Sequence, residues 1–209
     1  MKGFIFDLDG VICSTDEYHY EAWKVLAKKL GVSFSRMDNN RQRGVSRMES
    51  LEVLLEKSEK LFTEDEKVTL ADYKNKIYQS LLNNMGEKDL SYEVKDTLDR
   101  LREKGYKLAI GSSSRNAKII LEKIGLDNYF DAVSDGNNIT KSKPDPEVFI
   151  KAAEYMNIPC EQCYVVEDAK SGVEAAIAGG FKTIAVGDAI KYKIAEYNLN
   201  SFQELLKIV

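Results

Sequence analysis

The feature that most restricts the fold of this chain is a rhythm that begins after Gly86. Helix Tyr92 to Lys104, stopped at Gly105, leads to strand Tyr106 to Ile110. Helix Asn116 to Ile124, stopped at Gly125, leads to a short strand near Ala132-Val133. Helix Glu147 to Met156 leads to Tyr164-Val165-Val166, and helix Gly172 to Ala178, stopped at Gly179, leads to Thr183 to Val186. Short apolar strands alternating with helices predict an α/β fold, a Rossmann-like parallel sheet covered by helices on both faces.

One more strand, Gly3 to Phe6, opens the chain, but the rhythm is then interrupted. Ala22, Trp23, Leu26, Ala27 and Leu30 repeat at helical spacing, with Gly31 as a stop. The segment Arg36 to Arg47 is polar and carries four arginines. A second helical run covers Met48 to about Leu55. Thr63-Glu64-Asp65-Glu66 is a capping box that opens a third helix toward Met85, which Gly86 ends. The expectation is a core domain of residues 1–14 and 87–209, with a small all-helical cap domain, 15–86, inserted after the first strand.

The length, 209 residues, suits one domain carrying such an insertion, and 44% hydrophobic with 31% charged residues describes an ordinary globular protein. A net charge of -4 gives no footprint for nucleic acid or an anionic membrane, so an anionic substrate must meet locally placed positive charge. The apolar start is too short for a signal peptide, no run is long enough to span a bilayer, and three cysteines make no disulfide framework. A cytoplasmic, reducing setting is expected. Cys160 and Cys163 form a lone C-x-x-C without a second pair or a nearby histidine, and read as two small semi-buried residues in a turn.

In open parallel sheets the active site lies at the carboxyl ends of the strands, and chemistry-bearing residues collect there. Asp7-Leu8-Asp9-Gly10 leaves the first strand with two carboxylates two residues apart and a glycine that lets the chain turn. One carboxylate can attack phosphorus while the other moves a proton. Calcium loops and plain turns use the same tetrapeptide. Ile110-Gly111-Ser112-Ser113-Ser114 offers hydroxyls and backbone N–H groups at a second strand end, Lys143-Pro144-Asp145-Pro146 a cation before a helix, and Glu167-Asp168 two carboxylates fit for a hard cation. Singly these are also a serine-rich turn, a solvated lysine and a helix-capping acid; jointly, at strand ends, they are hard to explain structurally.

Together these residues resemble the haloacid dehalogenase superfamily, whose four motifs match Asp7-Leu8-Asp9-Gly10, Ser112, Lys143 and Glu167-Asp168. The resemblance implies that Asp7 is the nucleophile that becomes an aspartyl phosphate and Asp9 the general acid/base. It implies one Mg²⁺ held by Asp7, the Asp9 main-chain oxygen and Asp168 with Glu167 assisting, and Ser112 and Lys143 on the transferring phosphoryl group.

Within that superfamily, Gly44-Val45-Ser46-Arg47 followed by Met48-Glu49-Ser50-Leu51, and Asp16-Glu17-Tyr18-His19-Tyr20-Glu21-Ala22-Trp23, look like the cap signature of β-phosphoglucomutases. The likeness implies that Arg47, with Ser113, Ser114, Arg115 and Asn116, binds the phosphate that is not transferring, and that Lys74 touches the sugar. Thr15 and His19 match hinge-side residues that help set Asp9, and Trp23 reads as cap core that also lines the cleft. Without the likeness, Arg47 and Lys74 would read as surface cations. The segment Val11-Ile12-Cys13-Ser14-Thr15 departs from relatives that carry threonine and aspartate at its third and fourth positions.

The implied reaction interconverts β-D-glucose 1-phosphate and glucose 6-phosphate, with β-glucose 1,6-bisphosphate as primer and intermediate. The rival is a Mg²⁺-dependent sugar-phosphate phosphatase, which shares the core motifs. A non-catalytic sugar-phosphate-binding protein on this fold would have lost the nucleophile, the acid/base or the metal carboxylate. A monomer acting on small sugar phosphates is expected.

Overall fold

The structure, a computed structural model, describes residues 2–208. Met1 and Val209, which the expected core range includes, lie outside the described residues. Strand β1, Gly3–Phe6, is buried at all four positions. The cap helices follow: α1, Asp16–Leu30; α2, Arg36–Arg41; α3, Arg47–Leu55; and α4, Glu64–Leu81. Then come α5, Tyr92–Glu103; β2, Lys107–Gly111; α6, Ala117–Lys123; β3, Ala132–Ser134; α7, Glu147–Met156; β4, Cys163–Glu167; α8, Lys170–Ala178; and β5, Lys182–Ala185. A short edge strand β6, Tyr197–Asn198, and α9, Leu205–Ile208, complete the order.

The six strands form one sheet in the order β3-β2-β1-β4-β5-β6, with every pairing parallel. Side chains alternate across it. Phe4 and Phe6 join Leu108, Ile110 and Val166 on one face, with Leu98 of α5 and Ile120 of α6. Ile5, Ala109 and Val165 meet Phe149 of α7 and Ala176 of α8 on the other. Being covered on both faces is why these strands read as unbroken apolar runs. Phe6 lies level with Ile110 and Val166, so the chain leaves β1, β2 and β4 at one edge. The strand order reverses beside β1, and the crevice opens there.

The helices between β1 and α5 have their own small core, in which Trp23, Leu26 and Ala27 of α1 pack on Leu51 and Leu54 of α3 and Ala71 of α4. Capping boxes start three of the four: Ser35 with Asp38, Ser46 with Glu49, and Thr63 with Glu66. Each box satisfies two otherwise orphaned backbone donors. The far end of α4 does not belong to this core. Tyr78 packs with the sheet cluster, as do Leu82 and Met85 just beyond it.

Several expectations need correction. The polar stretch 36–47 contains α2, which is held by its capping box rather than by an apolar stripe. Helix α4 stops at Leu81 and tightens into a 3₁₀ turn, Leu82–Asn84, short of Met85. Strand β6 and α9, beyond the last strand read from sequence, are too short to carry a period. Cys163 is the first, buried residue of β4, Cys160 sits in the turn before it, and both are free thiols. Among the described residues no helix is long and apolar enough to cross a membrane.

Candidate active site

A cavity of about 730 Å³ lies between the carboxyl edge of the sheet and the cap helices. Asp7 reaches it directly from β1, its N–H donating to Val166 O at 3.0 Å. Lys143, in the loop before α7, is fully buried and donates from Nζ to Asp7 Oδ1 and to Glu167 Oε1, both at 2.5 Å. Burial opposes its charge, but the two carboxylates prevail and its pKa is raised. Lys143 and Glu167 do not line the cavity; they stand behind Asp7, while Asp168 lines it.

Asp7, Glu167 and Asp168 each offer a carboxylate oxygen within 4.8 Å of the others. Burial pushes Glu167 up to about 7, against the pull of Lys143, and burial followed by the charges of Glu167 and Asp7 pushes Asp168 up to about 8. A hard divalent cation relieves that crowding, and the all-oxygen donor set fits Mg²⁺. The turn after Asp9 passes so close that a Cβ on Gly10, at φ +89°, would fall 2.1 Å from Asp168 Oδ2. Only glycine satisfies both the conformation and the approach.

Asp9 faces the same cavity, and the Thr15 hydroxyl donates to its Oδ1. Burial and then the charge of Asp7 raise Asp9 to about 7, with the Thr15 bond pulling the other way. Above it, the His19 ring stacks on Tyr78 with centroids 4.1 Å apart. Lys74 Nζ lies 2.8 Å from His19 Nδ1 and over the rings of Trp23 and Tyr78 at 4.7 and 4.6 Å. Burial, then the neighbouring Lys74 and Arg47, holds His19 well below its ordinary value; burial, then Arg47, does the same to Lys74. Hydrogen-bonding nitrogens set on an aromatic floor suit the hydroxyls and apolar face of a sugar ring.

The far end of the cavity is shaped by the loop after β2. Ser114 N–H donates to Ser112 Oγ and Asn116 N–H to Ser114 Oγ, each at 3.2 Å. These hydroxyls shape the loop itself, and among the described residues nothing accepts from the N–H groups of Ser113 and Arg115. Arg47 faces this loop from the first turn of α3, whose N-cap is Ser46. It pairs with Asp72 at 3.3 Å, yet burial and then the charge of Arg115 lower its pKa. Two guanidinium groups thus meet across the cavity, one from the cap and one from the core, beside a helix N-terminus. That arrangement is chemically suited to an anion.

The cap loop closes on the core here. Gly44, at φ +76°, comes so near α8 that a Cβ would lie 2.6 Å from Ser171 Oγ, and Ser113 Oγ donates to Gly44 O at 3.4 Å. Val45 lines the cavity beside it. Every catalytic, substrate-binding and metal-binding residue expected from sequence is therefore on this cavity except Lys143 and Glu167, which brace it from behind. The carboxamide of Asn116 is taken up by Asn75 and Gln79 of α4.

Other participants escaped the sequence. Arg43 ties the start of α1 to the core, at 3.2 Å from Asp16 and 2.9 Å from Asp188, and its charge reaches Asp168. It is one of four similar arginines, and one partner lies 145 positions away, so nothing local marks it. Tyr78 lies four residues after Lys74 and three after Asn75 on α4, a spacing that could have flagged it.

Comparison with known proteins agrees with this geometry. A family model of haloacid dehalogenase-like hydrolases matches residues 4–186. A β-phosphoglucomutase of Bacillus subtilis is 39% identical over 189 residues, 90% of this chain and 84% of that protein. A phosphorylated carbohydrates phosphatase of Thermotoga maritima is 34% identical over 188 residues, 88% of this chain and 84% of that protein. The crystal structure of a β-phosphoglucomutase from Clostridium difficile superposes with a TM-score of 0.92 at 35% identity, covering 98% of this chain and 93% of that one. By the span of the family match and by its strand-end carboxylates, lysine and serine, this chain belongs to the haloacid dehalogenase-like hydrolase family.

Proposed function

We propose that this enzyme is a β-phosphoglucomutase, converting β-D-glucose 1-phosphate to glucose 6-phosphate. The observation that carries the reading is that Arg47 from the cap and Arg115 from the core both line the cavity, near enough for the charge of one to act on the other. A phosphatase needs a place only for the phosphoryl group it removes. A mutase must also hold the phosphate that is not reacting, and two opposed guanidinium groups are suited to that.

In this reading a carboxylate oxygen of Asp7 attacks phosphorus in line. The bond from phosphorus to the sugar oxygen breaks, and that oxygen takes the proton of Asp9. In the return half, a sugar hydroxyl gives its proton to Asp9 and attacks the phosphoryl group on Asp7. The bisphosphate turns over between the halves, so that either phosphate can meet Asp7. Ser112 and Lys143 neutralise and orient the transferring group, which is most of what phosphoryl transfer requires. Mg²⁺ would be held by Asp7, the main-chain oxygen of Asp9 and Asp168, assisted by Glu167, and supplies further charge neutralisation. Thr15 and His19 set Asp9, Lys74 and Trp23 meet the sugar, and Gly44, Val45, Ser46, Ser113, Ser114 and Asn116 shape the distal phosphate site. Residues 15–86 act as a cap that excludes water from the aspartyl phosphate. We take the enzyme to be a cytoplasmic monomer primed by β-glucose 1,6-bisphosphate.

A sugar-phosphate phosphatase is the second reading, favoured by the Thermotoga maritima relative. One assay separates them: β-D-glucose 1-phosphate, Mg²⁺ and a trace of bisphosphate, with glucose 6-phosphate and inorganic phosphate followed side by side. Glucose 6-phosphate forming much faster than phosphate, with no reaction of the α-anomer, supports the mutase; dominant phosphate release overturns it. Asp7→Asn is expected to abolish turnover with the fold retained.

A further inference from the structure

Asn116 is the residue before α6, at the end of the loop that follows β2, and its carboxamide is engaged twice by α4. Gln79 Nε2 donates to Asn116 Oδ1 at 2.8 Å, and Asn116 Nδ2 donates to Asn75 Oδ1 at 2.9 Å. Asn75 lines the cavity, and among the described residues nothing accepts from its amide nitrogen. A carboxamide has an acceptor end and a donor end, so a chain of them has a direction. This one runs from Gln79 through Asn116 to Asn75 and leaves an NH₂ group at the cavity end. Run in reverse, the same three side chains would leave the Asn75 oxygen there, which repels a phosphoryl oxygen.

We infer that Asn75 is a further substrate-contacting residue, donating to an oxygen of the bound phosphosugar, and that Gln79 is a positioning residue that sets the direction of the chain through Asn116. The inference rests on the cavity being a phosphosugar site. It gives the cap helix a part in recognition beyond Lys74: the outermost carboxamide decides whether the innermost one offers a donor or an acceptor.

Gln79→Glu tests the direction. A carboxylate only accepts, so Asn116 must turn its nitrogen toward position 79. Its oxygen then takes the Asn75 nitrogen, and the Asn75 oxygen is left facing the cavity. Gln79 is exposed, so the variant keeps the core packing. Ser80→Glu, at the next exposed position, adds the same charge about 100° further around the helix and serves as the electrostatic control. Gln79→Leu removes the outer donor without imposing a direction.

The readout is KM and kcat for β-D-glucose 1-phosphate. Exchanging a donor for a repelling acceptor raises KM about tenfold for Gln79→Glu with kcat nearly unchanged, whereas Ser80→Glu and Gln79→Leu stay within about threefold. In an Asn75→Ala background, Gln79→Glu adds nothing beyond its Ser80→Glu control. A Gln79→Glu effect no larger than that of Ser80→Glu, or one that survives intact in the Asn75→Ala background, overturns the inference. If the parent enzyme releases phosphate rather than transferring it, the mutase reading fails separately, and the same KM comparison by phosphate release still decides the role of the carboxamide chain.

Discussion

Replacing Lys143 by methionine isolates the charge that braces Asp7. The side chain is fully buried, with Nζ 2.5 Å from one carboxylate oxygen of Asp7 and 2.5 Å from one of Glu167. Methionine keeps the length and most of the volume, so packing on Phe149 survives while two carboxylates lose their shared cation. Breaking a buried ion pair from one side costs about 3–5 kcal/mol, because the remaining charge is left without compensation. For a chain of this size each kcal/mol lowers Tm by roughly 2–4 °C, so a fall of about 6–20 °C is expected. The measurement is thermal unfolding followed by circular dichroism in chelator, where no metal substitutes for the lysine. Turnover with Mg²⁺ should drop about a hundredfold or more, since the transferring group loses a fixed cation.

A second variant makes the reasoning refutable beyond a simple loss of stability. Lys143→Met combined with Glu167→Gln removes one of the two stranded charges. The glutamine oxygen can still accept the Ala169 N–H that Glu167 Oε2 holds at 2.9 Å. The double variant should therefore melt above Lys143→Met alone, although it carries one more substitution, while remaining inactive. Strict additivity of the two losses, or a fall of less than about 3 °C for Lys143→Met, would show that the cluster is not held by its ion pairs.

Other outcomes follow from the same geometry. Arg47→Ala should raise KM for the phosphosugar about tenfold or more, and Arg47→Lys should restore it only in part, because an ammonium lacks the planar fork; equal KM for arginine and lysine would remove the distal phosphate contact. Mg²⁺ should raise Tm of the parent by mass action on the folded state, and Asp168→Asn should abolish that rise; an undiminished rise in the variant would place the ion elsewhere. The Lys57 ammonium, 2.6 Å from Asp38, holds that carboxyl down to about 2, with Ser35 assisting. A carboxyl in the unfolded chain titrates near about 3.9, so this stabilisation is full above that value and is lost as pH falls toward 2. Asp38→Asn should then lower the urea midpoint at pH 7, and its deficit should shrink on acidification below about pH 4; a deficit constant with pH would contradict the linkage.

What could be read from the sequence follows what is local. β1, β2, β4 and β5 announce themselves because a parallel strand covered on both faces is apolar through its middle, and the groups that follow them inherit a place at the carboxyl edge. Asp7, Ser112 and Asp168 were legible on that ground alone. That Lys143 is buried between Asp7 and Glu167 rather than solvated before a helix was not, since its position depends on two carboxylates 136 and 24 residues away. In the cap, Thr63-x-x-Glu66 was legible as a helix start, whereas the equivalent boxes at Ser35 and Ser46 belong to a polar stretch without an apolar period. The second of these boxes puts Arg47 in the first turn of α3, so a capping pattern located a residue that otherwise needed a resemblance to single it out.

Arg43, Arg47 and Arg115 show why the cap could be read least. Each acquires its meaning from a group on the other side of the cavity. Arg43 pairs with Asp188 from cap to core at 2.9 Å. Arg47 and Arg115 do the reverse: burial in this arrangement, and then the like charge of Arg115, lower the pKa of Arg47. A dianionic phosphate between them turns that repulsion into attraction. On the proposed function, a phosphate contacting both groups would favour the arrangement in which cap and core meet, which is the condition for closure to be coupled to binding. A protein with a net charge of -4 can in this way hold a doubly phosphorylated sugar: Lys143 supplies positive charge beside Asp7, and Arg47 and Arg115 supply it from cap and core together.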